Sequence, residues 1–358
     1  MPSESTQPSE AHRSAHHSDQ PELSIVLSSL GNYAVLRRVL DGYEHQTVPE
    51  GTFELLVVAD RADPDLDAVD AAIGRRPYPV RRLVGRIPGL AANRNTGWAA
   101  ARAPVVLFTD NDTIPVPELV AEHLAWHRAH PAPEVVVVGH VRWARGLKVT
   151  PFMTWLDYGW QFDFHSLQGD RGSWAHIYGA NSSIKVEFLQ RVGGYDEERL
   201  PFLYEDIEWG YRARSHGVDV LYNRRAVVDH WKEATVDAWR ARAPQLAVTE
   251  RRFCRLHPDI EPWFYPQLRE AAAIPPSRGR GARLARFVPR SVPWLGPRVW
   301  SAASVYWRQQ IAPTFLAAWD AAEAEGGREE RSLSQPGAST GAEGLGVNSG
   351  GSRPGGPK

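Results

Sequence analysis

The chain has 358 residues, 42% hydrophobic and 23% charged, values that exclude a wholly disordered or fibrous protein. Its 41 Lys and Arg against 42 Asp and Glu give a net charge of −1, so no net field gathers nucleic acid and no nucleic-acid partner is expected. The single Cys254 excludes an intramolecular disulfide and a cysteine-held zinc, and suits a reducing cytoplasm.

At about 150 residues per domain the length suits two domains, or one large domain with an accessory piece. Residues 1–21 are Ser, His, Glu and Pro with almost nothing apolar, which predicts a disordered lead in which His12, His16 and His17 are incidental. From Gly326 to Lys358 the composition is that of a flexible tail. The body between opens with an apolar run from Leu23 to Ser28, then a helical stripe of Val35, Leu36, Val39 and Leu40 between Ala34 and Gln46. A second run, Phe53 to Ala59, ends at Asp60, and a third, Val105 to Phe108, ends at Asp110. Short apolar runs alternating with helices predict an α/β domain with parallel strands covered on both faces. In such sheets ligands sit beyond the carboxyl ends of the strands. Ser28, Asp60 and Asp110 fall there. No run approaches the ~20 apolar residues of a spanning helix, and the N-terminus lacks a signal-peptide core, so a protein neither integral nor exported is expected.

Asp110 and Asp112 stand two apart where the third strand enters a loop. Carboxylates so placed suit Mg²⁺ or Mn²⁺, and they equally suit a plain turn. Glu205, Asp206 and Glu208 begin a helical stretch that reaches about His216, with Gly217 as its stop. Favourable charge at a helix start explains one or two such acids, at ~0.3 to 1 kcal/mol each. Phe202, Tyr204 and Trp209 around them would raise a carboxyl pKa, as a general base requires. His230 ends another short apolar run. Between the two acidic clusters lie Trp155, Tyr158, Trp160, Phe162, Phe164, Trp174 and Tyr178, which either fill core or stack on an acceptor.

Taken in order, these segments resemble a family 2 glycosyltransferase with the nucleotide-sugar-binding GT-A fold, over roughly Leu23 to Lys232. The resemblance rests on the opening Ser24-Ile-Val-Leu-Ser-Ser29, Gln46-Thr47 after the first helix, Phe53 to Asp60, and Gly89-Leu-Ala-Ala-Asn-Arg94-Asn95-Thr-Gly97. It continues through Asp110-Asn-Asp112, Gly179-Ala-Asn181, Val192-Gly-Gly-Tyr-Asp196 and Tyr204-Glu205-Asp206-Ile-Glu-Trp-Gly-Tyr-Arg212. Two departures stand out: Ala59 replaces the first of an acid pair, and Ser28-Ser29-Leu30-Gly31-Asn32 replaces the usual Pro-Thr-Tyr. Both bear on which base the donor carries, UDP, GDP or dTDP.

The resemblance implies an inverting, metal-dependent transfer of one sugar from a nucleotide-diphosphate donor to a glycan, lipid-linked or natural-product acceptor. Asp60 would read the base, Arg94 would lie near the nucleotide or diphosphate, and Ser28 would border the donor. Asp110 would face ribose or metal. Asp112 and His230 would hold the divalent cation, Mn²⁺ or Mg²⁺. Asp206 would be the general base and Glu205 would position acceptor or donor sugar, with Asn181, Trp155, Trp160 and Trp174 near the acceptor. The expected organisation is a GT-A catalytic domain over 22–235 and a helical, Arg- and Trp-rich subdomain over 236–325. Arg278, Arg280, Arg283, Arg286, Arg290, Arg298 and Arg308 among Phe287, Trp294, Trp300 and Trp307 suit peripheral contact of 275–325 with the inner face of a membrane. They suit equally a helical subdomain packed on the catalytic domain. A sugar-1-phosphate nucleotidyltransferase would need a Gly-rich basic signature after the first strand. A non-catalytic sugar-binding relative would not need both the metal and the base acids.

Overall fold

The computed structural model describes residues 20–275 and 296–334. The first parallel set consists of β1 (Leu23–Ser29), β2 (Phe53–Ala59), β3 (Val80–Val84) and β4 (Val105–Asp110). Helices α1 (Tyr33–Tyr43), α2 (Leu66–Ile73) and α3 (Leu90–Ala99) make the crossovers. Every side chain of β1 and β2 is buried, as expected of strands covered on both faces. Leu23 lies opposite both Phe53 and Val105, and Ser28 opposite Val58 and Asp110. The carboxyl ends of β1, β2 and β4 therefore share one edge.

Beyond Asp110 come β5 (Thr113–Pro115), α4 (Leu119–Ala129), β6 (Val135–Trp143), α5 (Pro151–Leu156), β7 (Asn181–Lys185) and α6 (Val186–Val192). Then follow α7 (Glu205–Arg214), β8 (Asp219–His230), α8 (Val236–Leu256), α9 (Phe264–Ala273) and α10 (Gly296–Ser334). The eight strands form one sheet in the order β3-β2-β1-β4-β7-β6-β8-β5. β7 runs antiparallel to both neighbours, and β8 runs parallel to β6 and antiparallel to β5. The sheet is thus mixed, where apolar runs alone predict a parallel one. The α/β class, the flanking helices and a C-terminal helix are as expected.

Close packing of α3 on the sheet depends on Gly97, where a Cβ would stand 2.2 Å from Val26 Cγ1 of β1. A second apolar core forms between α5, α8, α9 and α10. It contains Phe152, Trp155, Trp160, Trp239, Phe264, Trp307, Phe315 and Trp319. Glu250 of α8 is buried within it and accepts from Tyr204 Oη at 2.8 Å and from the N–H groups of Trp263, Phe264 and Tyr265. One carboxylate thereby caps the start of α9 and fixes the residue that precedes Glu205.

A compact unit runs through Trp319 and a second begins at Asp320. The second is described only as far as Ser334, and there it is helical. Helix thus continues past Gly326, where composition places a flexible tail. The two glycines at 326 and 327 are followed by Arg-Glu-Glu-Arg, residues of high helix propensity. The rest of that tail, almost all of the N-terminal lead and the arginines from 278 to 290 lie outside the described residues. No helix among the described residues is long and apolar enough to cross a membrane. Trp307 and Trp319 of α10 are buried in the second core and present no indole to a surface.

Candidate active site

Above the carboxyl ends of β1, β2 and β4 lies a cavity of about 670 Å³, closed on its far side by α7, α8 and the turn before α9. It is large enough for a drug-sized ligand. Ser28, Asp60, Arg94, Asp110, Asp112, Glu205, Asp206, His230, Trp160 and Trp174 all border it. Trp155 and Asn181 do not. Trp155 is packed into the second core with its Nε1 donating to Ser304 Oγ at 3.0 Å. Asn181 is buried in β7, its amide donating to the carbonyls of His140 and Ala226 while its Oδ1 faces His123 Nε2 at 2.9 Å. At 1% exposure and away from the cavity, this carboxamide serves the sheet.

Arg94 is the hub. Its guanidinium contacts Glu205 and lies 3.5 Å from Asp110 Oδ1, with Arg94 and Glu205 both almost inaccessible. Burial opposes its charge, but Glu205, Asp110 and Asp206 hold it protonated. Burial also raises the Glu205 carboxyl, as does Asp206, while Arg94 pulls it down. We read the pair as ionic, since the guanidinium keeps its proton. Asp206, half-buried at the first turn of α7, accepts from Gly179 N at 2.9 Å and Ile207 N at 2.8 Å. These bonds leave lone pairs unused on a residue that borders the cavity. Glu208, the third acid of that turn, instead accepts from Arg212 Nε at 2.8 and 3.0 Å and serves the fold.

The antiparallel pairing of β5 with β8 sets Thr113 opposite His230, and Trp231 N donates to Asp112 O at 2.6 Å. His230 Nε2 thereby lies 3.5 Å from Asp112 Oδ2, and Lys232 Nζ lies 3.6 Å from the same oxygen. The two aspartates diverge. Burial pushes the Asp110 carboxyl up to about 6, against the pull of Arg94. Burial acts on Asp112 too, but His230 and Lys232 beside it take its carboxyl below the ordinary range. Asp60 accepts from Ala62 N on one oxygen and from Gly89 N and Asn93 Nδ2 on the other. It ties the end of β2 to the start of α3.

Six buried polar atoms on residues that line the cavity have no hydrogen-bond partner among the described residues: Ser28 Oγ, Asn93 Oδ1, Arg94 Nε, Asp110 Oδ1, Glu205 Oε2 and His230 Nδ1. Buried polar groups are normally paired, so such a concentration sets these residues apart from the apolar cores. Carboxylates with an imidazole form a donor set that suits Mn²⁺ or Mg²⁺. Asp112 Oδ2 and His230 Nε2, 3.5 Å apart, are the pair that fits a cation, although no three such side chains converge among the described residues.

Two residues of the cavity are not evident from motifs. Arg242 of α8 falls three residues after Trp239 and four before Leu246, both buried, so helical periodicity could have placed it on the inward stripe. Trp263, before α9, stands at the cavity rim with 54% of its surface exposed, its Nε1 donating to Gly159 O at 3.2 Å. No local pattern distinguishes it.

A family model described as glycosyltransferase-like family 2 matches residues 21–254. Validoxylamine A glucosyltransferase of Streptomyces hygroscopicus subsp. limoneus is 28% identical over 280 residues, covering 68% of this chain and 59% of that protein. The probable glycosyltransferase YdaM of Bacillus subtilis (strain 168) is 22% identical over 228 residues, covering 61% of this chain and 53% of that one. The chain thus spans less than two thirds of the length of these curated relatives. Among solved structures, the mannosyltransferase PcManGT from Pyrobaculum calidifontis, in complex with GDP-Man and Mn²⁺, shares the fold. Its TM-score is 0.54 at 19% identity, with 87% of this chain and 88% of that one covered. With the sheet, the cavity at its carboxyl edge and a family match spanning both, the chain belongs to the glycosyltransferase-like family 2.

Proposed function

We propose that this protein is an inverting glycosyltransferase that moves one sugar from a nucleotide-diphosphate donor to an acceptor hydroxyl. The observation that carries this reading is the cavity at the carboxyl edge of the sheet, which brings Ser28, Asp60, Asp110, Asp112, Asp206 and His230 together. The names of two relatives, a glucosyltransferase and a mannosyltransferase seen with GDP-Man and Mn²⁺, support a hexose donor. The acceptor class stays as read from sequence: a glycan, a lipid-linked sugar or a small natural product.

In this reading the nucleotide lies along Ser28, Asp60 and the start of α3, and the sugar faces α7. Asp206 accepts the proton of the acceptor hydroxyl as its oxygen bonds to the anomeric carbon from the face opposite the diphosphate. The bond between anomeric carbon and phosphate oxygen breaks with its electron pair on the phosphate. Asp206 suits this role better than Glu205, whose carboxylate is held by Arg94. Glu205 then fixes Arg94, and Arg94 keeps the floor of the site in place. Asp112 and His230, with Asp110 beside them, would hold a divalent cation, which when bound supplies positive charge to the departing diphosphate.

Thermal-shift titration with UDP-, GDP- and dTDP-sugars, with and without Mn²⁺, tests the donor. A metal-dependent rise in Tm with one nucleotide class is expected, because a ligand of the native state stabilises it. No shift with any of them refutes the donor reading. Asp206→Asn should lower transfer at least about a thousandfold while donor-induced stabilisation persists. Near-wild-type turnover in that variant would remove the base assignment.

A further inference from the structure

Three basic side chains border the cavity: Arg94, Lys232 and Arg242. Arg94 is matched by Glu205 and Asp110. Lys232 reaches toward Asp112 from an exposed position. The guanidinium of Arg242 makes no hydrogen bond or ion pair with any described residue; it lies over the face of Trp239, 5.6 Å from the ring centroid. The contrast with Arg240, two residues earlier on the same helix, is sharp. Arg240 is tied to Asp237 and twice to Gln310.

Arg242 is half-buried, an unfavourable place for a charge without a partner. Burial lowers its pKa, while Glu205, Asp112, Asp206 and Asp110 act on it in the opposite sense. These four carboxylates border the same cavity but do not reach it. The cavity lies between them. A diphosphate entering beside so many acids needs positive charge that Arg94 cannot give, and the planar fork of a guanidinium matches two phosphate oxygens at once.

We propose that Arg242 grips the diphosphate of the donor and stabilises it as the leaving group, donating two N–H bonds to the phosphate oxygens as the bond to the anomeric carbon breaks. This rests on the donor reading above. The leaving phosphate oxygen takes the electron pair of the broken bond, and the acceptor proton goes to Asp206, so Arg242 gives up no proton.

Titration calorimetry of the full chain with UDP, GDP, dTDP and their monophosphates, in Mg²⁺ and in EDTA, tests the assignment. For the nucleotide class that the wild type binds, Arg242→Gln should weaken the diphosphate about tenfold to a hundredfold and the monophosphate by less than about threefold. The factor lost should be the same in Mg²⁺ and for the weaker binding that remains in EDTA, which separates it from an effect relayed through the cation site. Arg242→Lys, which keeps the charge but not the fork, should fall between, and it carries the comparison if the glutamine variant fails to fold. Unchanged diphosphate affinity overturns the assignment and leaves the donor reading standing. A rise confined to the KM for an anionic acceptor overturns it equally, and would move Arg242 to the acceptor. A wild type that binds none of the three diphosphates removes both.

Discussion

Arg94 lies between two carboxylates and beneath Gly179, and this crowding makes a glycine without unusual torsion angles indispensable. A Cβ at Gly179 would stand 2.1 Å from Arg94 Cζ and 2.2 Å from Nη2. An arginine tip usually gives way, but this one is enclosed and paired with Glu205. Gly179 N also holds Asp206 Oδ2, so any shift reaches the base directly. We therefore expect Gly179→Ala to cost about 1–3 kcal/mol of stability, as overpacking does, and to lower kcat at least about tenfold through the displaced carboxylate. Thermal melts and steady-state kinetics measure the two effects. Wild-type kcat would show that the guanidinium finds another berth. The acids of this site were legible in the sequence because they stand at strand ends and in one helical turn. Arg242 was not, because its meaning depends on what lies across the cavity rather than on its neighbours in the chain.

At the scale of elements, β7 shows why part of the sheet was hidden. Its sequence Asn181-Ser-Ser-Ile-Lys185 lacks an apolar run, yet four of its five residues are buried. Histidines from α4 satisfy it: His123 bonds Ser183 Oγ at 2.8 Å and Asn181 Oδ1 at 2.9 Å, and His127 bonds Ser183 Oγ at 2.8 Å. Since the Asn181 amide nitrogen serves two carbonyls, its oxygen must accept, which puts the His123 proton on Nε2. β1, β2 and β4 also bury polar residues, Ser24, Glu54 and Thr109 among them, but keep apolar runs long enough to be plain, whereas β5 is only three residues long.

Burial takes the His123 pKa down to about 4 and that of His127 to about 3, from 6.5. Both are neutral in the fold at pH 6.5 and below, where the unfolded chain takes up protons, so stability is greatest above pH 6.5 and falls as pH drops toward 4 and 3. Each histidine should remove about 2 kcal/mol between pH 7.5 and 5. Urea unfolding across that range gives the slope. His123→Gln should flatten it, and an unaltered slope would place the acid sensitivity elsewhere.

For the molecule as a whole, the C-terminal helix is part of what folds. Trp307, Ile311, Phe315 and Trp319 are buried against α5, α8 and α9. At about 1.5–3 kcal/mol for each large apolar side chain, losing four exceeds the margin of many domains. A chain ending at residue 275 should therefore be insoluble or lack a cooperative melt. One ending at residue 325 should melt with the full chain. Circular dichroism of the two decides, and a cooperative, wild-type-like melt of the shorter chain would show that the second core closes without α10.

The pairing of β5 with β8 has a further consequence, in the time the chain needs to fold. Thr113 meets His230 only after more than a hundred intervening residues have been placed, whereas β1, β2 and β3 are joined by shorter crossovers. Long-range pairings form slowly, because chain entropy is lost before contacts compensate. Asp112 and His230 come together through that distant pairing. The sheet edge that borders Ser28 and Asp60 is thus expected to exist in a refolding chain before the Asp112–His230 pair does, and the chemistry of the molecule belongs to the last part of it to mature.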